Sequence, residues 1–172
     1  MRRRFPTGLK VFLIIASVFL TIYGILFIQV ARAVSWKVHE DLTDKQKREF
    51  SEMAQLPGMA PAVERYGIKG WQDAEYLIET YRYDSVDALC DSLPGGCRDS
   101  IVKTLETTNP ASSKDVKGKR IKRYDISYGL PLVSDDELEE ETYSYTFGAF
   151  RDYYVYEYSD GTYRFAADVA IP

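Results

Sequence analysis

Residues Val11 to Val30 read VFLIIASVFLTIYGILFIQV, twenty positions without a charge. Fourteen of them are Val, Ile, Leu or Phe. Wound as an α-helix at ~1.5 Å per residue, the run covers roughly 30 Å, the thickness of a bilayer's hydrocarbon core. Each of these apolar side chains favours insertion by about 0.3–0.6 kcal/mol near the helix centre. The run predicts a transmembrane signal-anchor helix over residues 11–33.

Arg2, Arg3, Arg4 and Lys10 precede the run, with no acidic residue among them. Short basic flanks stay on the cytoplasmic side. Residues 1–10 are therefore expected as a cytoplasmic tail, and everything from residue 34 onward as extracytoplasmic, either periplasmic or on the cell surface. Ala31-Arg32-Ala33 matches the small-residue pattern that signal peptidase cleaves, so a secreted protein with a cleaved signal is the alternative. Signal peptides usually carry an apolar region of only ~7–15 residues, which favours retention. Trp36 follows closely and suits the headgroup level. Ser17, Thr21 and Gly24 share one helical face and are candidates for close helix–helix packing.

Beyond residue 34 the chain is long enough for one domain with its own core, and too short for two. The whole chain carries −4, and its first 34 residues hold five basic and no acidic residues, which leaves the remainder at −9. That charge excludes a nucleic-acid partner, whose phosphates demand Lys and Arg, and is poorly matched to an anionic lipid surface. It suits a basic or neutral partner, such as another membrane or envelope protein.

The two cysteines, Cys90 and Cys97, lie in ALCDSLPGGCRDS. Pro94-Gly95-Gly96 can turn the chain back between them, and thiols outside the cytoplasm tend to be oxidised. A local disulfide is expected. Two Cys and one His cannot fill a tetrahedral zinc shell without carboxylates, and the spacing is not C-x-x-C. Neither a metal nor a cofactor is expected.

Residues 34–118 read as a helical half. Thr43-Asp44-Lys45-Gln46 forms a capping box, starting a helix that runs to about Leu56 and stops at Pro57-Gly58. A short helix is expected from Pro61 to Gly67. Another spans about Trp71 to Tyr83, with Trp71, Ala74, Leu77, Ile78 and Tyr81 on one face. Ser85 caps a helix ending near Ser92, and Asp99 or Ser100 caps the last. Residues 111–118 read as a polar linker.

From Lys119 the period becomes 2 and residues 119–172 read as an antiparallel meander of four strands. The strands are expected around residues 119–130, 143–149, 153–158 and 163–171. Asp160-Gly161 predicts a two-residue hairpin, which would pair Tyr158 with Tyr163, Tyr156 with Phe165 and Glu157 with Arg164. A second such turn at Arg151-Asp152 would place Tyr154, Tyr156 and Tyr158 under the helices. The expected class is α+β, with short helices packed on one face of the sheet. In element order the soluble part resembles cystatin-like and NTF2-like folds, in which helices sit in a curved sheet. In layout the chain resembles inner-membrane assembly proteins of bacterial secretion systems.

No nucleotide-binding, hydrolase or zinc-peptidase motif is present, and His39, the only histidine, reads as an exposed linker residue. No catalytic residue is predicted. Asp125, Glu157 and Asp168 are expected on the outward sheet face as salt-bridged surface groups. Asp135, Asp136, Glu137, Glu139, Glu140 and Glu141 form an acidic loop without the spacing of a calcium site, suited to contact with a basic partner. Nine of the fourteen tyrosines fall between Tyr124 and Tyr163. Tyr153 and Val155, on the expected outer face, are the partner-binding candidates. The chain thus reads as a membrane-anchored accessory or assembly subunit. A ligand-binding or enzymatic domain using the sheet face is the alternative.

Overall fold

The computed structural model describes residues 7–33, 35–70, 74–134, 137 and 149–171. The chain divides into two units, Met1–Ser35 and Trp36–Pro172. The first holds one α-helix, α1 (Thr7–Ala33, 27 residues). Its side chains are described at Phe12 and from Ile14 to Val30. Phe12, Ile14, Phe19, Leu20, Tyr23 and Phe27 are all more than half exposed. Among the described residues no helix is long and apolar enough to cross a membrane. Val11 and Leu13, which belong to the twenty-residue run, have side chains outside that set.

In the second unit, Thr43 starts α2 (Asp44–Met53) through the expected capping box. The Gln46 amide donates to Thr43 Oγ1, and the Thr43 amide donates to Gln46 Oε1 at 3.0 Å. Ser85 likewise caps α3 (Val86–Asp91), its hydroxyl accepting from the Ala88 amide. The last helix, α4 (Cys97–Thr107), is preceded by Gly96 in a left-handed conformation, not by Asp99 or Ser100.

The sheet departs from expectation. Among the described residues it has seven antiparallel strands, where the sequence predicts four in all, in the order β1-β2-β3-β7-β6-β5-β4. They are β1 (Lys37–His39), β2 (Val63–Lys69), β3 (Ala74–Thr80), β4 (Ala111–Lys114), β5 (Arg120–Asp125), β6 (Phe150–Glu157) and β7 (Tyr163–Ile171). Two of the expected helices are thus strands β2 and β3, and the expected linker supplies β4. A 3₁₀ turn over Pro57–Ala62 replaces the start of the short helix. Trp71 and most of the expected strand at 143–149 lie outside the described residues. Arg151 and Asp152 stand inside β6, so no turn forms there.

The β6–β7 hairpin carries one residue more than a two-residue turn. The Tyr158 amide donates to the Thr162 carbonyl, the Gly161 amide donates to the Tyr158 carbonyl, and Gly161 takes φ +78°. This is a three-residue loop closed by a glycine in the left-handed region, which needs no Cβ-compatible backbone. The observed register pairs Glu157 with Tyr163, Tyr156 with Arg164 and Val155 with Phe165. A slip of one residue exchanges the two faces of a strand. Tyr153 and Val155 consequently face the helices, and Tyr154, Tyr156 and Tyr158 face the other way.

Each face has its own core. On the helical face, Phe50 and Met53 of α2, Leu89 of α3 and Ile101 of α4 pack with Val63, Ile78, Tyr153, Val155, Phe165 and Val169. The tyrosine face holds a second cluster of Leu77, Val116, Ile121, Tyr154, Tyr156, Tyr158 and Ala166, flanked by Trp36 and Val38. That second core exists because the sheet curls. The turn after β4 reaches β2 and β3, where Val116 and Trp36 sit so close over Gly67 that a Cβ there would lie 2.1 Å from Val116 Cγ2.

Candidate functional site

The curl is fastened by charges that the strands bury. Arg65 on β2 donates through Nε to Glu79 Oε2 on β3 at 2.7 Å, and through Nη2 to Asp115 Oδ2 at 3.1 Å. Arg164 on β7 donates through Nη1 to the Thr80 carbonyl at 2.8 Å and lies 3.4 Å from Glu79 Oε2. Glu79 Oε1 accepts from the Val116 amide at 2.9 Å, and the Tyr158 hydroxyl donates to Asp115 Oδ2 at 2.9 Å. Asp115 Oδ1 takes the Lys117 and Lys119 amides, which shapes the turn. Glu79 is fully buried, and Arg65, Asp115 and Arg164 are each at most 5 % exposed.

Burial pushes the Glu79 carboxyl up, against the pull of Arg65, the Val116 amide and Arg164. Burial draws the Arg65 guanidinium down, and the Glu79 and Asp115 charges more than offset it, so its proton is held more tightly than usual. Two guanidinium groups and two carboxylates form a structural clasp, in which Arg164 also pairs with Glu64 and keeps its Nε without a hydrogen-bond partner among the described residues. No nucleophile stands beside a base in it.

The opposite end of the tyrosine face is less well satisfied. Asp168 on β7 lies directly across from Asp152 on β6 and from Leu77 on β3. Its Oδ1 is buried without a hydrogen-bond partner among the described residues. Burial first, and the Glu75 and Asp152 charges with it, push this carboxyl up to about 6, while Lys69 and Arg123 pull the other way. Tyr154 and Tyr156 stack at 6.2 Å between ring centroids, and the Arg123 guanidinium sits 4.6 Å from the Tyr154 ring. Among the described residues no group of three or more His, Cys, Asp or Glu is arranged to hold a metal ion.

Several expectations are corrected by these positions. Tyr153 is 9 % and Val155 0 % exposed, because the register turns both into the helical core. Tyr153 also donates to the Ala54 carbonyl at 2.7 Å, which satisfies the end of α2. Neither is a surface residue. The three carboxylates separate: Asp168 and Asp125 fall on the tyrosine face, whereas Glu157 is on the other with Lys122 and Tyr124. Glu157 and Arg164 do not pair. Phe150, at 75 % exposed, is the large apolar residue that the sheet presents among the described residues. A single exposed Phe among the aromatic residues of this region gave no signal in the sequence.

Glu137 is exposed, with its amide donating to the Ser134 carbonyl. Asp135, Asp136, Glu139, Glu140 and Glu141 lie outside the described residues. Within α1 the Ser17 hydroxyl donates to the Ile14 carbonyl and Thr21 to the Ser17 carbonyl, and no atom outside the helix's own turns comes within 4 Å of a Cβ at Gly24. Cys90 and Cys97 are both buried and both free thiols, where a bridge was expected. Burial raises both, and burial with the Cys90 charge pushes Cys97 up to about 11, so neither thiol is activated as a nucleophile. His39 is exposed on edge strand β1 and stacks on Tyr66 at 4.7 Å. Comparison with protein-family models, curated proteins and solved structures finds no match.

Proposed function

We propose that the protein is a single-pass, membrane-anchored accessory subunit, with its N-terminus cytoplasmic and its α+β domain extracytoplasmic. The observation that carries this is α1: thirteen large apolar side chains from Phe12 to Val30, exposed on every side of one helix. Burying a Leu, Ile or Phe side chain is worth about 1.5–3 kcal/mol. A lone helix that leaves so many in water is stable only in a bilayer or against a partner. The basic flank sets its direction across the membrane.

A role in assembly, and not in catalysis, is supported by how the sheet is filled. Its helical face is covered, and its other face is occupied by its own tyrosines and a buried ionic clasp. A ligand-binding or enzymatic use of the sheet face would need an open concavity with convergent polar groups. Phe150 and the acidic run Asp135–Glu141 are the proposed contacts, the latter toward a basic partner.

Crosslinking in intact membranes, followed by identification of what copurifies, tests the proposal. A discrete envelope or membrane protein crosslinked through residues near Phe150 is expected. Recovery of uncrosslinked monomer alone would refute the assembly role.

A further inference from the structure

The domain's charge of −9 conceals a strong local inversion. Lys114 to Arg123 reads KDVKGKRIKR, in which six of ten residues are basic and Asp115 is the one acid. That acid is buried and committed to Arg65 and Tyr158. Removing the segment's net +5 leaves the rest of the domain at −14.

Lys114, Lys117, Lys119 and Arg120 all project into solvent from the β4–β5 hairpin. Lys114 and Arg120 are direct cross-strand partners, and neither makes an ion pair among the described residues. Like charges placed opposite each other destabilise a strand pair, so this arrangement favours an external anion. Lys117 reaches Glu40 at 2.6 Å, and Lys119 reaches Asp160 only at 3.8 Å.

The fold fixes where this hairpin lies. Val116, at its turn, packs over Gly67 beside Trp36. Lys69 sits 4.2 Å over the Trp36 ring, whereas Lys37 lies on the other face of β1. Trp36 is three residues beyond Ala33, the last residue of α1. The basic hairpin is therefore packed against the segment with which the domain opens.

We propose that Lys114, Lys117, Lys119 and Arg120, with Trp36 beside them, form a docking surface for anionic phospholipid headgroups of the bilayer that holds α1. This rests on the membrane-anchor reading. Each cation brought to such a surface strengthens attachment by roughly fivefold, and Trp has the amphipathic ring that the headgroup layer accepts. The strongly acidic remainder is repelled by the same lipids, so the domain is oriented with this hairpin toward the membrane.

The test uses the full chain in lipid nanodiscs of phosphatidylcholine, with or without about 30 % phosphatidylglycerol. Lysine acylation rates are read residue by residue by mass spectrometry. Lys114, Lys117 and Lys119 should react several-fold more slowly in the anionic discs and recover in about 0.5 M salt. Lys45 on α2, whose side chain is 76 % exposed, should react equally in both. The double variant Lys117→Glu/Arg120→Glu should lose the protection at Lys114. Equal rates in the two kinds of disc would overturn the docking surface while leaving the anchor intact. A chain that elutes free of lipid from either preparation would overturn the anchor reading itself.

Discussion

Glu79→Gln is the most informative single change in the clasp. Glu79 Oε2 faces both Arg65 and Arg164, and Oε1 accepts from the Val116 amide that holds the β4–β5 turn against the sheet. The glutamine keeps one acceptor, loses the charge, and turns an amide N–H₂ toward a guanidinium or a backbone donor. Removing one partner of a buried ion pair costs about 3–5 kcal/mol, because the other charge stays buried. A domain of this size has a total stability of roughly 7–20 kcal/mol. The loss corresponds to about 10–20 °C in melting temperature. Thermal unfolding of the full chain in mild detergent, followed by near-ultraviolet circular dichroism of the buried tyrosines, measures it. Replacing the whole clasp with apolar residues (Glu79→Leu, Arg65→Met, Arg164→Met, Asp115→Leu) should cost less than the single change. A drop under about 1 kcal/mol for Glu79→Gln would show that water reaches the clasp and that it does not fasten the curl.

Gly67→Ala places a methyl group into Val116 and Trp36 and should cost about 1–3 kcal/mol, with Trp36 emission shifted to the red; an unchanged emission and stability would show that the turn does not pack there. Asp168→Asn should stabilise the domain at pH 7. The folded carboxyl is raised to about 6, so the folded state binds the proton more tightly than the unfolded state does. Its contribution favours folding at acidic pH and is lost as pH climbs from about 4 to 6, a gain on substitution of about 1–2 kcal/mol at neutral pH after allowance for partial exposure. Identical pH–stability curves for the two proteins would refute it. Gly161→Val, forced into a left-handed conformation in the β6–β7 loop, should destabilise by about 1–2 kcal/mol, whereas Asn at the same position should cost less. Equal stability of the two would show that the loop can adopt another form.

The capped helices were legible in the sequence, because a cap is a local interaction between residues three apart. The strands β2 and β3 were not. Their inward positions include Arg65 and Glu79, charged residues that are buried through partners 14 and 50 residues away. A polar residue at a core position breaks the period of 2, and the remaining apolar positions Ala74, Leu77, Ile78 and Tyr81 then fit a helix by coincidence of spacing. The sheet face was misassigned for a related reason. Asp-Gly marks a hairpin, but whether the loop holds two residues or three depends on the whole strand pair, and that single residue decides which tyrosines meet the helices. The clasp and the basic hairpin could be read only once the fold had brought the turn after β4 onto β2.

The account depends on α1 lying across a bilayer with the domain beyond it. A dual reporter at the C-terminus, joining alkaline phosphatase to green fluorescent protein, tests this in a bacterial host alongside extraction of the membranes with alkaline carbonate. The account predicts phosphatase activity without fluorescence, in a full-length protein that stays in the carbonate-washed pellet. Fluorescence without phosphatase activity, or a mature chain beginning near Val34 in the carbonate supernatant, would contradict it.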